Sequence, residues 1–442
     1  MTSDKRLKAR IRARMAKTGE RYTTARRHFV SSVEPAPDVL GYTLRSGRHP
    51  DSAALANVLA HAGVTAPDGT ALSEAILFGV MGGLGAGYIL WEFRHDDSRI
   101  VTLGFSNQWQ YFGRGLRKAL DRLAIGYDEH STGGSNSAAA RLEAQLDDGG
   151  PALIWPDWYQ IGYWHLPESM DGRGGHPVVV YGRQGDRVYV DDRNVSPLTV
   201  DLHALHRARA RVGSYKNTLI APTPDPGPVD ARVLRTAVHD GIADCVAQLR
   251  SSSASFALQA WRKWARLMTD ARNAKGWPSV FGDRRGLVGA LLSVWEGTSQ
   301  FGMDGGHLRD LYADFLSQAG PLVGTAFDGP IGSLREASRL WTELGNIATD
   351  PSIEDFARMR HLTATIRESI ASDGDGGQDE ASAAATELWK LRTQLDAECP
   401  LDDDAAQALF VRMGDVIGRI HEVETAAIAD LARAGIGAGE TW

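Results

Sequence analysis

Four prolines fall within nine residues in PTPDPGPVD, residues 222–230. Each proline fixes φ and removes a backbone donor, so this stretch reads as an extended linker rather than part of a helix or a central strand. The two sides of it follow different hydrophobic periods. From about Asp38 to Ala221, short apolar runs alternate with Gly, Asp and Pro: ILFGV, YILWEF, RIVTLGF, ALIWPDW, PVVVYG, RVYVDD and NTLIAP. Such runs, rich in Val, Ile, Tyr and Trp, predict strands. Two helices are interposed, one over residues 51–62 and one around RGLRKALDRL. Beyond the prolines, Val233, Leu234, Ala237, Val238, Ile242 and Val246 recur at three and four, as do the apolar positions of AAQALFVRMGDVIGRIHEVE. That period predicts an all-helical half. The expectation is therefore an α+β domain at 35–221, the linker at 222–230 and a helical domain at 231–442. One interruption, ASDGDGGQDEAS at 371–382, reads as a mobile loop.

At 442 residues the chain is long enough for two domains with sizeable cores. No apolar run approaches the roughly 18 residues a membrane helix needs, and the basic N-terminus lacks an apolar signal core. Cys245 and Cys399 stand 154 positions apart, which is neither a metal-ligand spacing nor a disulfide framework. A cytoplasmic protein is the expectation. Net charge is −7, but residues 1–28 carry ten Lys and Arg against Asp4 and Glu20, a basic helical arm (residues 1–34) on an acidic body. This arm could hold nucleic acid, an acidic membrane, an acidic carrier protein or the acidic body of a second subunit; it contains no recognisable nucleic-acid module, so nucleic acid is disfavoured and a homodimer is among the expectations.

Chemistry concentrates in GGHPVVVYGRQGDRVYVDDRN, residues 174–194. His176 heads one strand, a turn follows at Gln184 to Asp186, and the return strand ends on Asp191 and Asp192. In an antiparallel pair the start of one strand lies beside the end of the next, so the histidine can meet one of the aspartates. Alternation allows only one of them to do so. A carboxylate that fixes an imidazole tautomer is the base-and-orienter part of a nucleophile triad. A second candidate is His49-Pro50-Asp51-Ser52, which opens a helix, with proline at home in the first helical position. A helix start also favours developing negative charge. GVMGGLGAG, residues 79–87, lacks the spacing of a phosphate loop and reads as a tight turn. No His, Asp and Glu set has metal-ligand spacing, HEVET at 421–425 lacking the second histidine of HExxH.

HPDSAALANVLAHAGV, LSEAILFGVMGGLGAGYILWEF, GGPALIWPDWYQIGYW and GGHPVVVYGRQGDRVYVDD resemble, in this order, the butirosin biosynthesis protein H family in its N-terminal domain. KGWPSVF and GMDGGHLRDLYADFL resemble the helical domain that commonly follows. The resemblance implies a papain-like (cysteine-peptidase-like) α+β fold followed by an all-α domain. It also implies acyl transfer from a phosphopantetheine thioester of an acyl carrier protein, or from coenzyme A, with no bound cofactor. By the same resemblance His176 matches the catalytic histidine and Asp192 its orienting aspartate, while Glu74 and Asp157 match acidic family positions. The family's cysteine falls on Pro50, which cannot be acylated.

Three readings stay open. Ser52, on the same helical turn, could replace the cysteine, although one helical position turns about 100°. Alternatively, His176 acts as general base on an acceptor that attacks a bound thioester, in acyl transfer or cyclisation without a covalent intermediate. Or the protein is a pseudoenzyme that binds a small molecule or a partner protein. In every case ligand is expected between the helix at Pro50 and the strands of His176 and Asp192, touching His49, Asp51, Asp157, Tyr159 and Glu74. The segment HRARARVGSYK, residues 206–216, is a second expected contact for an acidic carrier.

Overall fold

The computed structural model describes residues 38–39, 41–93, 98–223 and 226–434. The basic arm expected at residues 1–34 lies outside the described residues. The N-terminal half is α+β and the C-terminal half helical, as the change of period across the prolines predicts.

Helix α1 (Pro50–His61) starts where its sequence says it should. His49 takes an extended conformation as N-cap, its ring accepts from Ser52 N, and Pro50 fills the first helical position. Leu55, Val58 and Leu59 bury its apolar face. The run ILFGV, expected as a strand, is instead part of helix α2 (Glu74–Val80), capped by the Ser73 hydroxyl, which accepts from Ile76 N at 3.1 Å. Every residue from Ala75 to Val80 is buried, so the run carries no amphipathic signature. A short, wholly apolar run does not distinguish the two elements.

Strands β1 (Leu84–Phe93) and β2 (Ser98–Ser106) form an antiparallel ribbon. Helices α3 (Arg114–Arg122) and α4 (Ser135–Asp147) flank strand β3 (Tyr127–His130), and strand β4 (Ala152–Ile154) follows. Then come β5 (Val178–Gln184), β6 (Arg187–Asp191), β7 (Leu198–Asp201), helix α5 (Leu202–Arg211) and β8 (Leu219–Pro222). Six strands make one antiparallel sheet in the order β7-β6-β5-β4-β8-β3. Helices α1 and α4 both pack on β5, whose Val178, Val179 and Val180 are all buried, which is why it reads as an unbroken Val run.

The helical half comprises α6 (Ala231–Leu249), α7 (Gln259–Leu267), the single turn α8 (Trp277–Val280), α9 (Leu287–Thr298), α10 (Arg309–Val323), α11 (Asp328–Ala348), α12 (Glu354–Asp373), α13 (Gln378–Ala397) and α14 (Asp403–Arg433). The prolines do not separate two independent cores. The β1–β2 ribbon, which precedes them, lies in the helical half: Tyr88 stacks on Trp264 at 4.9 Å and its hydroxyl accepts from Trp277 Nε1. Phe105 meets the edge of Trp341 at 4.9 Å. Under this ribbon Glu424 is buried, accepting from Trp261 Nε1, Trp341 Nε1 and the Arg309 guanidinium at 2.7–3.0 Å. Arg309 also donates to the Gly85 carbonyl of the ribbon.

Residues 371–382 are not the mobile loop their composition predicts. Helix α12 runs to Asp373, a 3-10 turn covers Gly374–Gly377, and α13 begins at Gln378. The turn is docked on β7, with Thr199 N and Oγ1 both donating to Asp375 at 2.8 Å, and Val195 N donating to Ala371 O. Gly374 sits at φ +55°, where a Cβ would stand 2.1 Å from Pro197 O. Here glycine serves close approach rather than flexibility. No described helix is long and apolar enough to cross a membrane.

Candidate active site

Hairpin register brings the two candidate groups together. Val179 pairs with Asp191, so the residue after β6 returns to the level of Val178 at the head of β5, two residues from His176. His176 Nε2 lies 2.7 Å from Asp192 Oδ2, and both side chains are almost wholly buried. Asp191 points the other way, accepting from Tyr42 Oη and Asn57 Nδ2. Alternation thus divides the two aspartates as the strand period requires.

Four donors converge on the Asp192 carboxylate. Oδ2 accepts from His176 and from Tyr163 Oη at 2.8 Å, and Oδ1 accepts from Arg193 Nη2 and Nε at 3.0 and 3.3 Å. Burial alone would raise its proton affinity, but the His176 and Arg193 charges and the hydrogen bonds from His176 and Tyr163 hold it well below the usual carboxylate range. A carboxylate only accepts, so in the neutral ring Nε2 carries the proton and Nδ1 is left as the acceptor. Nδ1 is buried and has no hydrogen-bond partner among the described residues. Trp158 and Trp164 stand beside the imidazole, their ring centroids 5.8 and 6.0 Å away.

His176 opens on a cavity of about 590 Å³ shared by both halves of the chain. From the N-cap and first turn of α1 it receives His49, Pro50 and Asp51, from the start of α3 Arg114 and Arg117, and from the helical half Asp304 and Leu308. Phe78, Phe112, Trp155 and Tyr215 give aromatic walls. Asp51 is half-buried, and its Oδ1 has no partner among the described residues. Burial, then the nearby Asp304 carboxylate, raise its pKa to about 7 against the pull of Arg117. His49 is lowered to about 3 by burial and by Arg193, so its ring is neutral, capping Ser52 N and meeting the edge of Phe78.

Several expected site residues take other work. Ser52 is fully buried and does not line the cavity; its hydroxyl donates to Glu74 Oε1 at 3.2 Å and lies 3.2 Å from His49 Nδ1. The helical turn directs it inward, which removes it as a nucleophile toward His176. Glu74 is likewise outside the cavity, clamping the turn before α1 by accepting from Arg48 N and His49 N. Asp157 accepts from Tyr159 N, Gln160 N and Gly172 N, and neither it nor Tyr159 reaches the cavity. These bonds hold the loop that delivers His176: Trp158 N donates to Gly174 O, and a Cβ on Gly175 would stand 1.9 Å from Pro156 O. In the expected carrier contact at 206–216, Arg209 is buried and bonded to Ala138 O and Asn217 O, and Arg211 is engaged by Asp171. Arg207 and Lys216 remain as exposed charges there.

Arg193, Tyr163 and Asp304 are site residues that sequence reasoning passed over. Arg193 follows the DD pair directly and adopts φ +65°. Its Nη1 donates to Arg48 O and Met303 O, so one guanidinium ties the orienting carboxylate to the turn before α1 and to the helical half. Arg48 completes the latch by donating to Gly305 O at 2.9 Å. Gly305 has φ +78°, and a Cβ there would stand 2.1 Å from Arg48 O. Gly305→Ala is expected to cost about 1–3 kcal/mol in urea unfolding and to weaken ligand binding, because it displaces the loop that carries Asp304.

Residues 49–193 match the family model described as butirosin biosynthesis protein H, N-terminal. Among solved structures, a crystal structure of a C39-like peptidase from Bacillus anthracis aligns at 15% identity, covering 42% of this chain and 96% of that chain, with a TM-score of 0.29. No curated protein matches the chain.

Proposed function

We propose that this chain, whose residues 49–193 form a domain of the butirosin biosynthesis protein H N-terminal family, is a biosynthetic enzyme of specialised metabolism that moves an acyl group out of a thioester, by transfer or cyclisation, without a cysteine nucleophile. One observation carries this reading: His176 lines the cavity with Nε2 held by Asp192 and Nδ1 left without a hydrogen-bond partner among the described residues. An imidazole so fixed is a general base. It takes the proton of an amine, hydroxyl or carbon acid as that group attacks the acyl carbon, and returns it to the departing thiolate. A thioester is activated already, so positioning and base catalysis suffice. The donor is the phosphopantetheine thioester of a carrier protein or coenzyme A; Pro50, standing where the family resemblance places a cysteine, has no role in bond making.

A second reading is favoured by Pro50 itself. A helix start with proline where the resemblance places a cysteine, beside a lined cavity, also suits a pseudoenzyme that binds a small molecule or partner protein. Thiol release from a series of acyl-pantetheine thioesters, measured beside their binding by calorimetry, separates the two. The enzyme reading predicts release, and predicts that Ser52→Ala keeps turnover within about threefold, since that hydroxyl lies outside the cavity. Binding without release by the intact chain supports the pseudoenzyme.

A further inference from the structure

We propose that Asp51 is a catalytic residue, whose carboxyl group donates a hydrogen bond to the acyl carbonyl oxygen as it becomes an oxyanion: its side chain lines the same cavity as His176, on the first turn of α1, with Oδ1 lacking a partner among the described residues. The inference rests on the thioester reading above and adds to it the group that stabilises the transition state. An oxyanion needs preorganised donors, and a helix N-terminus ordinarily supplies them from its first N–H groups. This helix offers few of them. Pro50 has no N–H, the N–H of Ser52 is taken by His49 Nδ1, and that of Ala53 by His49 O, which leaves the N–H of Asp51 in the first turn. The Asp51 carboxyl adds a second donor beside it, because a carboxylic acid kept protonated in a shielded site acts as a donor.

The titratable and charged groups that line the cavity with Asp51 come from several walls: Asp304 from the helical half, Arg114 and Arg117 from α3, His49 from the turn before α1, and His176. The Tyr111 and Tyr215 phenols complete the set. Burial and Asp304 raise the proton affinity of Asp51 and Arg117 lowers it, the balance falling at about 7. In the step itself the acceptor X–H loses its proton to His176 Nδ1 as the X–C bond forms. The carbonyl oxygen takes the electron pair while accepting the Asp51 hydrogen bond; then the C–S bond breaks and His176 returns the proton to sulfur. Products are the acylated acceptor and a free thiol, and Asp51 keeps its proton throughout.

The test is thiol release from acetyl-pantetheine by the full chain as a function of pH, for the wild type, Asp51→Asn, Asp51→Ala and Asp304→Asn, with folding checked by circular dichroism. Wild-type kcat is expected to fall as pH rises through about 7. Asp51→Asn, whose amide still donates, should stay within about tenfold at pH 6 and lose that alkaline fall, whereas Asp51→Ala should lose on the order of 10²-fold in kcat with KM little changed. Asp304→Asn should move the fall to lower pH by removing a repelling charge. A raised KM with unaltered kcat in Asp51→Asn, or an alkaline fall that persists in it, overturns the assignment. Turnover that is abolished by His176→Ala but untouched in Asp51→Ala overturns the assignment and leaves the thioester reading standing. No release by the wild type overturns both.

Discussion

Replacing His176 with alanine is expected to lower thiol release from an acyl-pantetheine substrate by on the order of 10³-fold, with the fold retained. The size follows from what the ring does in this setting. Asp192 holds Nε2, which in the neutral ring makes Nε2 the protonated nitrogen and leaves the Nδ1 lone pair, without a partner among the described residues, as the acceptor on a residue that lines the cavity. Burial of the imidazole against Trp158 and Trp164 means its loss also leaves a small cavity, which circular dichroism and urea unfolding would register separately from rate. Asp192→Asn should fall on the order of 10²-fold, between wild type and His176→Ala. One amide oxygen cannot serve four donors, so the amide nitrogen must face either the His176 and Tyr163 donors or the Arg193 guanidinium. Rates would be read from release of free thiol at saturating substrate.

The largest effect on stability is expected at Glu424. Arg309 and Glu424 are both nearly inaccessible to solvent, and the carboxylate is the shared acceptor of the guanidinium and two indoles. Removing it strands one buried charge and two buried N–H donors, so Glu424→Ala should lose about 3–5 kcal/mol in urea unfolding. Joint replacement of Arg309 and Glu424 with methionine should recover much of this, because no lone charge then remains in the core. Were the double variant as unstable as the single one, the loss would reflect packing around Trp261 and Trp341 rather than an uncompensated ion. Because Arg309 also holds the Gly85 carbonyl, the same cluster governs how the ribbon sits on the helices.

What the sequence displays about this site is what local geometry determines. Proline at the first helical position makes the start of α1 legible, and a tight turn between two Val-rich strands sets the register that returns Asp192 to His176. Strand alternation alone allows either aspartate to face the ring, the family resemblance points to Asp192, and it is Asp192 that meets His176. Directions across a helix are harder to read. Asp51 and Ser52 are neighbours in sequence, yet the first lines the cavity and the second is buried against Glu74. Tertiary contacts account for the rest. Asp304 and Arg193 join the site through a glycine loop that the helical half presses on Arg48, and Gly374 is ordered by its approach to Pro197 O, which composition alone presents as a mobile loop. The ribbon of residues 84–106 has strand composition but a helical partner, so the proline stretch marks a change of period and not a border between cores.

The most direct test of the central claim is intact-protein mass spectrometry during turnover of an acyl-pantetheine thioester, recorded together with release of free thiol. Direct base catalysis predicts thiol release by the wild type with no acyl adduct on the protein at any time, and loss of release in His176→Ala. An acyl adduct that forms and decays at the rate of turnover would contradict it, placing a covalent nucleophile in a cavity lined by His176 and by Pro50 at the helix start.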